Sequence, residues 1–190
     1  MPYVLLLDPD ARSARDRVPD AVRRLNETVP TVLPFERTTG TEFQGVLAEP
    51  DAVVDVVLEL VRAAGWCIGV GAGPVPDGPR TGAGTAFRCA RRAVDAAGQR
   101  AARLAVRGAV PAEAGDAQAV LTALAALVQR RSAHAWEAIG LVAAGRTQAE
   151  AAAALGISRQ AVGQRLAAGS WELERELRPT AARLLARAAG

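Results

Sequence analysis

Short apolar runs and longer segments with helical spacing alternate along residues 1–107. The apolar runs predict five strands, at 3–7, 35–38, 42–47, 66–70 and 103–106. Apolar residues three and four apart predict helices at 19–25, between Glu49 and Gly65, and at 85–97. The order β-α-β-β-α-β-α-β contains the split βαβ pattern of a ferredoxin-like sheet with its helices on one face.

The remainder of the chain has helical spacing only. The stretch from Gly108 to Gly115 is rich in Gly, Pro and Ala, which is typical of a linker and places the linker at 109–115. Helices are predicted at 116–130, 133–144, 147–155 and 158–168, with a tail from Trp171 that Pro179 breaks. The fold class is therefore α+β, with a ferredoxin-like domain at 1–108 followed by an all-α helix-turn-helix domain at 116–190.

The segment from Gly145 to Gly169 has the features of a DNA-binding helix-turn-helix. Thr147 and Glu150 form a capping box at the start of its first helix, and Gly156 marks a tight turn. Ser158 caps the second helix, whose apolar Val162 and Leu166 lie four residues apart on its inner face. Small Ala151 and Ala152 let the two helices cross closely. The alternative is a helical hairpin that binds another protein and not DNA.

Long polar side chains remain on the outward face of the second helix, where a recognition helix enters the major groove. Arginine pairs with guanine and glutamine with adenine, so double-stranded DNA is the expected partner. Arg165 occupies a position that is often apolar in such motifs. The predicted DNA-binding residues are Arg146, Thr147, Ser158, Arg159, Gln160, Gln164 and Arg165.

Charge along the chain agrees with this assignment. All 23 basic residues are arginine. Residues 1–129 carry 14 Arg against 15 acidic residues, a net of −1, whereas residues 130–190 carry 9 Arg against 5 Glu, a net of +4. The basic excess lies where phosphate binding needs it. A net of +4 is also ordinary for a small domain.

Composition argues against several other functions. His134 is the only histidine, which disfavours a His-based metal site or a Ser-His-Asp triad. Cys67 and Cys89 lack metal-ligand spacing and are expected to be buried thiols. No run reaches the roughly 18 apolar residues of a membrane span, and no leader is recognisable. We therefore expect a cytoplasmic protein without metal or cofactor.

Two features leave alternatives open. Apolar residues of the terminal helix favour either a dimer seam or packing on its own domain; these are Trp171, Leu173, Leu177, Leu184 and Leu185. A homodimer is expected because one recognition helix buries little surface on DNA.

Gly69, Gly71 and Gly73 are a weak signal of a phosphate-binding loop. The alternative, that these glycines end the strand and let the chain turn, explains them better.

Several N-terminal motifs together resemble the SatD-type family. They are Asp8 after the first strand, the hairpin Thr39-Gly40-Thr41-Glu42-Phe43-Gln44-Gly45, the strand Cys67-Ile68-Gly69-Val70-Gly71, and the helix Gly84-Thr85-Ala86-Phe87-Arg88-Cys89-Ala90-Arg91. The resemblance covers nearly the whole chain. It implies a small domain like a nucleotide cyclase followed by a helix-turn-helix, as in an actinobacterial-type DNA-binding regulator.

In active cyclases of this fold, one metal-binding carboxylate ends the first strand and another follows the hairpin glycines. Asp8 matches the first, but Thr41 lacks the charge of the second. Glu42 is expected to point to the opposite face, because strand residues alternate. The resemblance thus implies a degenerate, non-catalytic domain that senses a nucleotide or another small effector, or serves dimerisation. A metal-dependent nucleotidyl cyclase is the less favoured alternative. The candidate effector pocket comprises Asp8, Thr41, Glu42, Arg88 and Arg91.

Overall fold

The computed structural model describes residues 1–9, 17–38, 40–75 and 84–190. Thr39 of the predicted hairpin turn and residues 76–83 of the segment after the fourth predicted strand lie outside the described residues. The described part of the chain is α+β, as predicted. None of its helices combines the length and apolar character that crossing a membrane requires.

Five strands form one mixed sheet in the first 108 residues. The elements are β1 (Tyr3–Pro9), α1 (Arg17–Thr28), β2 (Leu33–Arg37), β3 (Phe43–Leu47), α2 (Pro50–Ala63), β4 (Trp66–Ala72), α3 (Thr85–Ala97) and β5 (Leu104–Gly108). The strand order is β2-β3-β1-β4-β5. Only the β4–β5 pair is parallel, and the other three pairs are antiparallel. The predicted element order is confirmed, with α1 longer at both ends.

The prediction that the helices lie on one face of the sheet is wrong. Side chains alternate along β1, so Tyr3 and Leu5 point into a core formed with α1 and α2. Val4 and Leu6 point to the opposite side, where they pack with α3. Because β1 is apolar at both odd and even positions, both faces of the sheet need a cover.

Glycines in β4 allow α3 to lie directly on the sheet. A Cβ atom on Gly71 would be 2.0 Å from the Ala86 carbonyl oxygen and 2.4 Å from the Ala90 nitrogen. A Cβ atom on Gly69 would be 2.4 Å from the Val94 nitrogen. Both glycines lie inside the strand, so the expectation that they end it is wrong for these two. It is confirmed for Gly73, which follows the last residue of β4 with φ at 144°. The close approach of the α3 backbone to β4 explains why glycine is needed at positions 69 and 71.

The C-terminal half consists of α4 (Pro111–Gln129), α5 (Ala133–Ala143), α6 (Gln148–Leu155), α7 (Arg159–Ala168) and α8 (Trp171–Ala189). The predicted linker at 109–115 is mostly helix, because Pro111 is well suited to the first turn of α4. The predicted break at Pro179 is also wrong, since α8 continues through it. Buried residues on both sides of Pro179, such as Glu174 and Leu185, hold α8 in place.

The predicted division into domains at 1–108 and 116–190 does not match the packing. Helices α4 and α8 share one hydrophobic core with the sheet, through residues such as Leu121, Leu124 and Leu185. A third core belongs to α5, α6 and α7, and its buried residues are Ala135, Ala138, Ile139, Ala151, Ala152, Val162 and Leu166. The three-helix unit α5–α7 is therefore inserted between two long helices of the sheet domain. The buried face of α8 packs on that domain.

A buried ion pair joins the three-helix unit to the sheet domain. Arg131, between α4 and α5, forms an ion pair with Glu174 of α8, and both side chains are 1% exposed. Glu174 also binds Arg178 at 2.6 Å, and Arg178 pairs with Asp55 of α2. Across this junction, the ring of Trp136 lies under the guanidinium groups of Arg131 (4.8 Å) and Arg62 (4.1 Å).

Replacing Gly71 by alanine is expected to reduce the free energy of unfolding by about 1–3 kcal/mol, because α3 must move away from β4. Gly140→Ala is the matched control. Gly140 lies within α5, and a Cβ atom there would meet nothing within 4 Å. This control is expected to stabilise the protein by about 0.5–1 kcal/mol. Urea denaturation of both variants measures the difference, and equal effects would contradict the packing argument.

Glu174→Gln is expected to reduce the free energy of unfolding by about 3–5 kcal/mol, because it leaves Arg131 buried without a counter-charge. Glu172→Gln is the control on the same helix. Glu172 also pairs with an arginine, Arg175 at 3.4 Å, but its side chain is 75% exposed. The control is expected to change stability by less than about 1 kcal/mol. Thermal denaturation at neutral pH measures both, and a small effect of Glu174→Gln would refute the buried-pair argument.

Candidate nucleic-acid interface

The start of α6 is fixed by the predicted capping box. The Thr147 hydroxyl accepts a hydrogen bond from the Glu150 backbone N–H at 3.2 Å, and the Thr147 backbone N–H donates to Glu150 Oε2 at 2.8 Å. Hydrogen bonds from the backbone and hydroxyl of Thr147 lower the pKa of Glu150, and Arg146 adds to this effect. Arg146 itself is exposed. Thr147 therefore positions the helix, and its hydroxyl is engaged inside the box.

The connection between α6 and α7 has the geometry that the motif predicts. Gly156 ends α6 in the left-handed conformation, with φ at 65°. Ile157 is half-buried against the core of the three-helix unit. The Ser158 side chain accepts a hydrogen bond from the Ala161 backbone N–H at 3.1 Å and so caps α7. The two helices are thus joined by a tight turn with a defined angle.

One face of α7 presents polar side chains around a shallow, open groove. Arg159, Gln160 and Gln164 line this groove together with Gly163. All three long side chains are exposed, as predicted. Gln148, at the first position of α6, also lines the groove and was not predicted. Its position next to Thr147, at the N-terminus of α6, is the sequence feature that could have identified Gln148 as a candidate.

Arg165 does not belong to this exposed face. Its guanidinium lies 3.2 Å from Glu137 Oε2 on α5, and its side chain is 24% exposed. The position precedes the buried Leu166, so the side chain runs along the boundary between α5 and α7. The prediction that Arg165 points outward with Arg159 is wrong, because a carboxylate on α5 attracts it.

The candidate effector residues lie at the end of β1. Thr41 Oγ1 donates a hydrogen bond to Asp8 Oδ1 at 3.4 Å. Arg91 of α3 donates two hydrogen bonds to the Glu42 carboxylate, at 2.6 and 2.7 Å. Arg88 instead donates to Thr85 Oγ1 at 3.2 Å. Asp8, Thr41, Glu42 and Arg91 are therefore close together, while Arg88 lies beside them.

The neighbouring residues Thr41, Glu42 and Arg91 all affect the pKa of Asp8. Partial burial raises the pKa of Asp8, and the negative charge of Glu42 raises it further. The hydrogen bond from Thr41 and the charge of Arg91 act in the opposite direction. The ion pair with Glu42 in turn raises the pKa of Arg91.

The expectation that Glu42 points away from Asp8 is wrong. Strand alternation does not apply to Glu42, because β3 begins only at Phe43. Instead, Arg91 holds the Glu42 carboxylate on the α3 side of the sheet. Within the described ranges, no group of three or more His, Cys, Asp or Glu side chains is placed to hold a metal ion.

Comparison with protein-family models, with curated proteins and with solved structures finds no match for this chain. The resemblance to the SatD-type family therefore stays a prediction from the motifs.

Asp8→Asn is expected to stabilise the protein at pH 7 relative to wild type. The folded state raises the pKa of Asp8, so the charged carboxylate opposes folding at neutral pH. This opposition disappears as the pH falls through the raised pKa to below the ordinary value of 3.8. The stability difference between variant and wild type should therefore shrink toward acid pH.

Chemical denaturation at pH 7 and near pH 4 measures this trend. Asp116→Asn, on the exposed side of α4, removes the same charge as a control. A difference that grows toward acid pH would contradict the expected sign.

Proposed function

We propose that this chain is a DNA-binding transcriptional regulator that reads double-stranded DNA with α7. The observation that carries the proposal is the groove formed by Arg159, Gln160, Gln164 and Gln148 beside two capped helices joined by a tight turn. A helix of this kind fits the major groove, which is about 12 Å wide. Arg159 pairs with guanine, and the glutamines pair with adenine.

Phosphate contacts position the helix on DNA. Arg146 lies just before α6, next to the backbone amides of its first turn, and supplies such a contact. Ser158 and Thr147 contribute by capping the two helices, and Arg165 acts indirectly through Glu137. The net charge of +4 over residues 130–190 assists association with DNA.

The sheet domain is proposed to be a degenerate cyclase-like module with a ferredoxin-like core. The antiparallel order β2-β3-β1-β4 is that of a split βαβ sheet, which supports this assignment. Arg91 forms an ion pair with the Glu42 carboxylate, so this carboxylate is not free to bind a metal ion beside Asp8, which argues against metal-dependent catalysis there. The module senses a small effector or mediates homodimerisation in a cytoplasmic regulator.

The test is fluorescence-anisotropy binding of the full chain to genomic and randomised DNA fragments over a salt series. Wild type is expected to select a sequence, with an affinity that falls as salt rises. Arg159→Ala/Gln164→Ala is expected to lose about 2–6 kcal/mol of discrimination between sites, because two bidentate base contacts are removed.

Gln99→Ala/Arg100→Ala is the matched control for this experiment. It removes the same two residue types from the exposed turn after α3 and should leave discrimination unchanged. If wild type shows no salt-dependent DNA binding, or if both double variants lose equally, the proposal fails. A pull-down for protein partners then tests the alternative, a protein-interaction module.

A further inference from the structure

A second concave site lies between α3 and the β1–β3 pair. Leu6 and Gln44, which face each other across β1 and β3, line a cavity of about 410 Å³ together with Phe87 of α3. Helix α3 sits directly over β4, where the glycines admit it, and leaves this space beside it. The volume lies within the range of small-molecule sites.

Three arginines border this cavity, and two of them form no ion pair with a carboxylate that the structure describes. Arg91 is neutralised by Glu42. Arg88 donates to the Thr85 hydroxyl, and no ion pair joins Arg88 or Arg92 to an acidic residue in the described part of the chain. Arg88 and Arg92 are four residues apart, so they lie on one side of α3. The rim of the cavity therefore carries two guanidinium groups that no described carboxylate pairs with.

The positive charges of Arg88 and Arg92 also act on Cys89, which lies between them in the sequence of α3. Burial raises the pKa of the Cys89 thiol, whereas the charges of Arg92, Arg88 and Arg107 act to lower it.

We propose that this cavity binds a small, multiply charged anion, which Arg88 and Arg92 hold through charge-assisted hydrogen bonds. Leu6 and Phe87 provide an apolar floor for a carbon skeleton, and the Gln44 amide provides a polar contact. The ligand class is a phosphorylated or polycarboxylate metabolite. As an effector site, this assignment rests on the proposed regulatory function, but the binding itself does not.

Isothermal titration of the full chain with pyrophosphate and, separately, with citrate tests the site at constant ionic strength. Saturable binding of at least one anion is expected, and the two arms distinguish phosphate from carboxylate chemistry. Arg88→Ala/Arg92→Ala is expected to weaken that binding by at least about tenfold, because it removes two charge-assisted hydrogen bonds that contribute to the free energy of anion binding.

Arg183→Ala/Arg187→Ala is a closely matched control. Arg183 and Arg187 are also exposed, four residues apart on a helix, and Arg183 donates to the Thr180 hydroxyl three residues earlier, as Arg88 does to Thr85. This control should retain wild-type affinity. Absence of saturable binding to both anions, or an equal loss in both double variants, overturns the proposal.

Glu42→Gln is expected to increase anion affinity where the double variant decreases it. It tests the proposal independently if Arg88→Ala/Arg92→Ala fails to fold. Removing the carboxylate frees Arg91 and adds positive charge at the cavity, so anion affinity should rise several-fold. Unchanged or weaker binding would then overturn the proposal. The same preparations are assayed for DNA binding without anion, so that failure of the anion site and failure of the DNA-binding proposal are separate results.

Discussion

The buried ion pair between Arg131 and Glu174 determines how the two parts of this molecule are arranged. Both side chains are almost completely removed from solvent, so each charge requires the other. Arg131 also donates from Nε to the Gly169 carbonyl oxygen at 2.8 Å, at the C-terminal end of α7. The orientation of α7 is therefore tied to α8, which belongs to the core of the sheet domain.

Close contacts surround this pair where the three-helix unit meets α2 and α8. A Cβ atom on Gly169 would lie 2.7 Å from Ile139 Cδ1, so α7 ends in close contact with α5. Arg178 extends the network to Asp55 of α2, and Trp136 stacks under two guanidinium groups. The unit that carries the groove on α7 thus contacts both α2 and α8 through this group of side chains.

The two candidate binding sites differ in how their charge is balanced. On α7, Arg159 is exposed beside neutral glutamines, which suits readout of base edges. At α3, Arg91 is paired with Glu42 while Arg88 and Arg92 are not, which suits a compact anion in a cavity. The sheet supports the second site because Gly69 and Gly71 bring α3 close to β4 and leave the β1–β3 surface beside it open.

Local chemistry by itself determined the order of the strands and helices and the tight turn between α6 and α7, although not where α4 begins or that α8 continues through Pro179. Thr147, Gly156 and Ser158 act on backbone groups within a few residues, so their roles are readable from spacing. Only the tertiary structure decided that Arg165 turns to Glu137, that Arg91 holds Glu42, and that α8 reaches Asp55, because these partners are 28, 49 and 123 residues apart. It likewise decided that helices cover both faces of the sheet and that α4 and α8 join its core. Apolar periodicity marks which residues of a helix are buried, but the surface that buries them is set by packing across the whole chain.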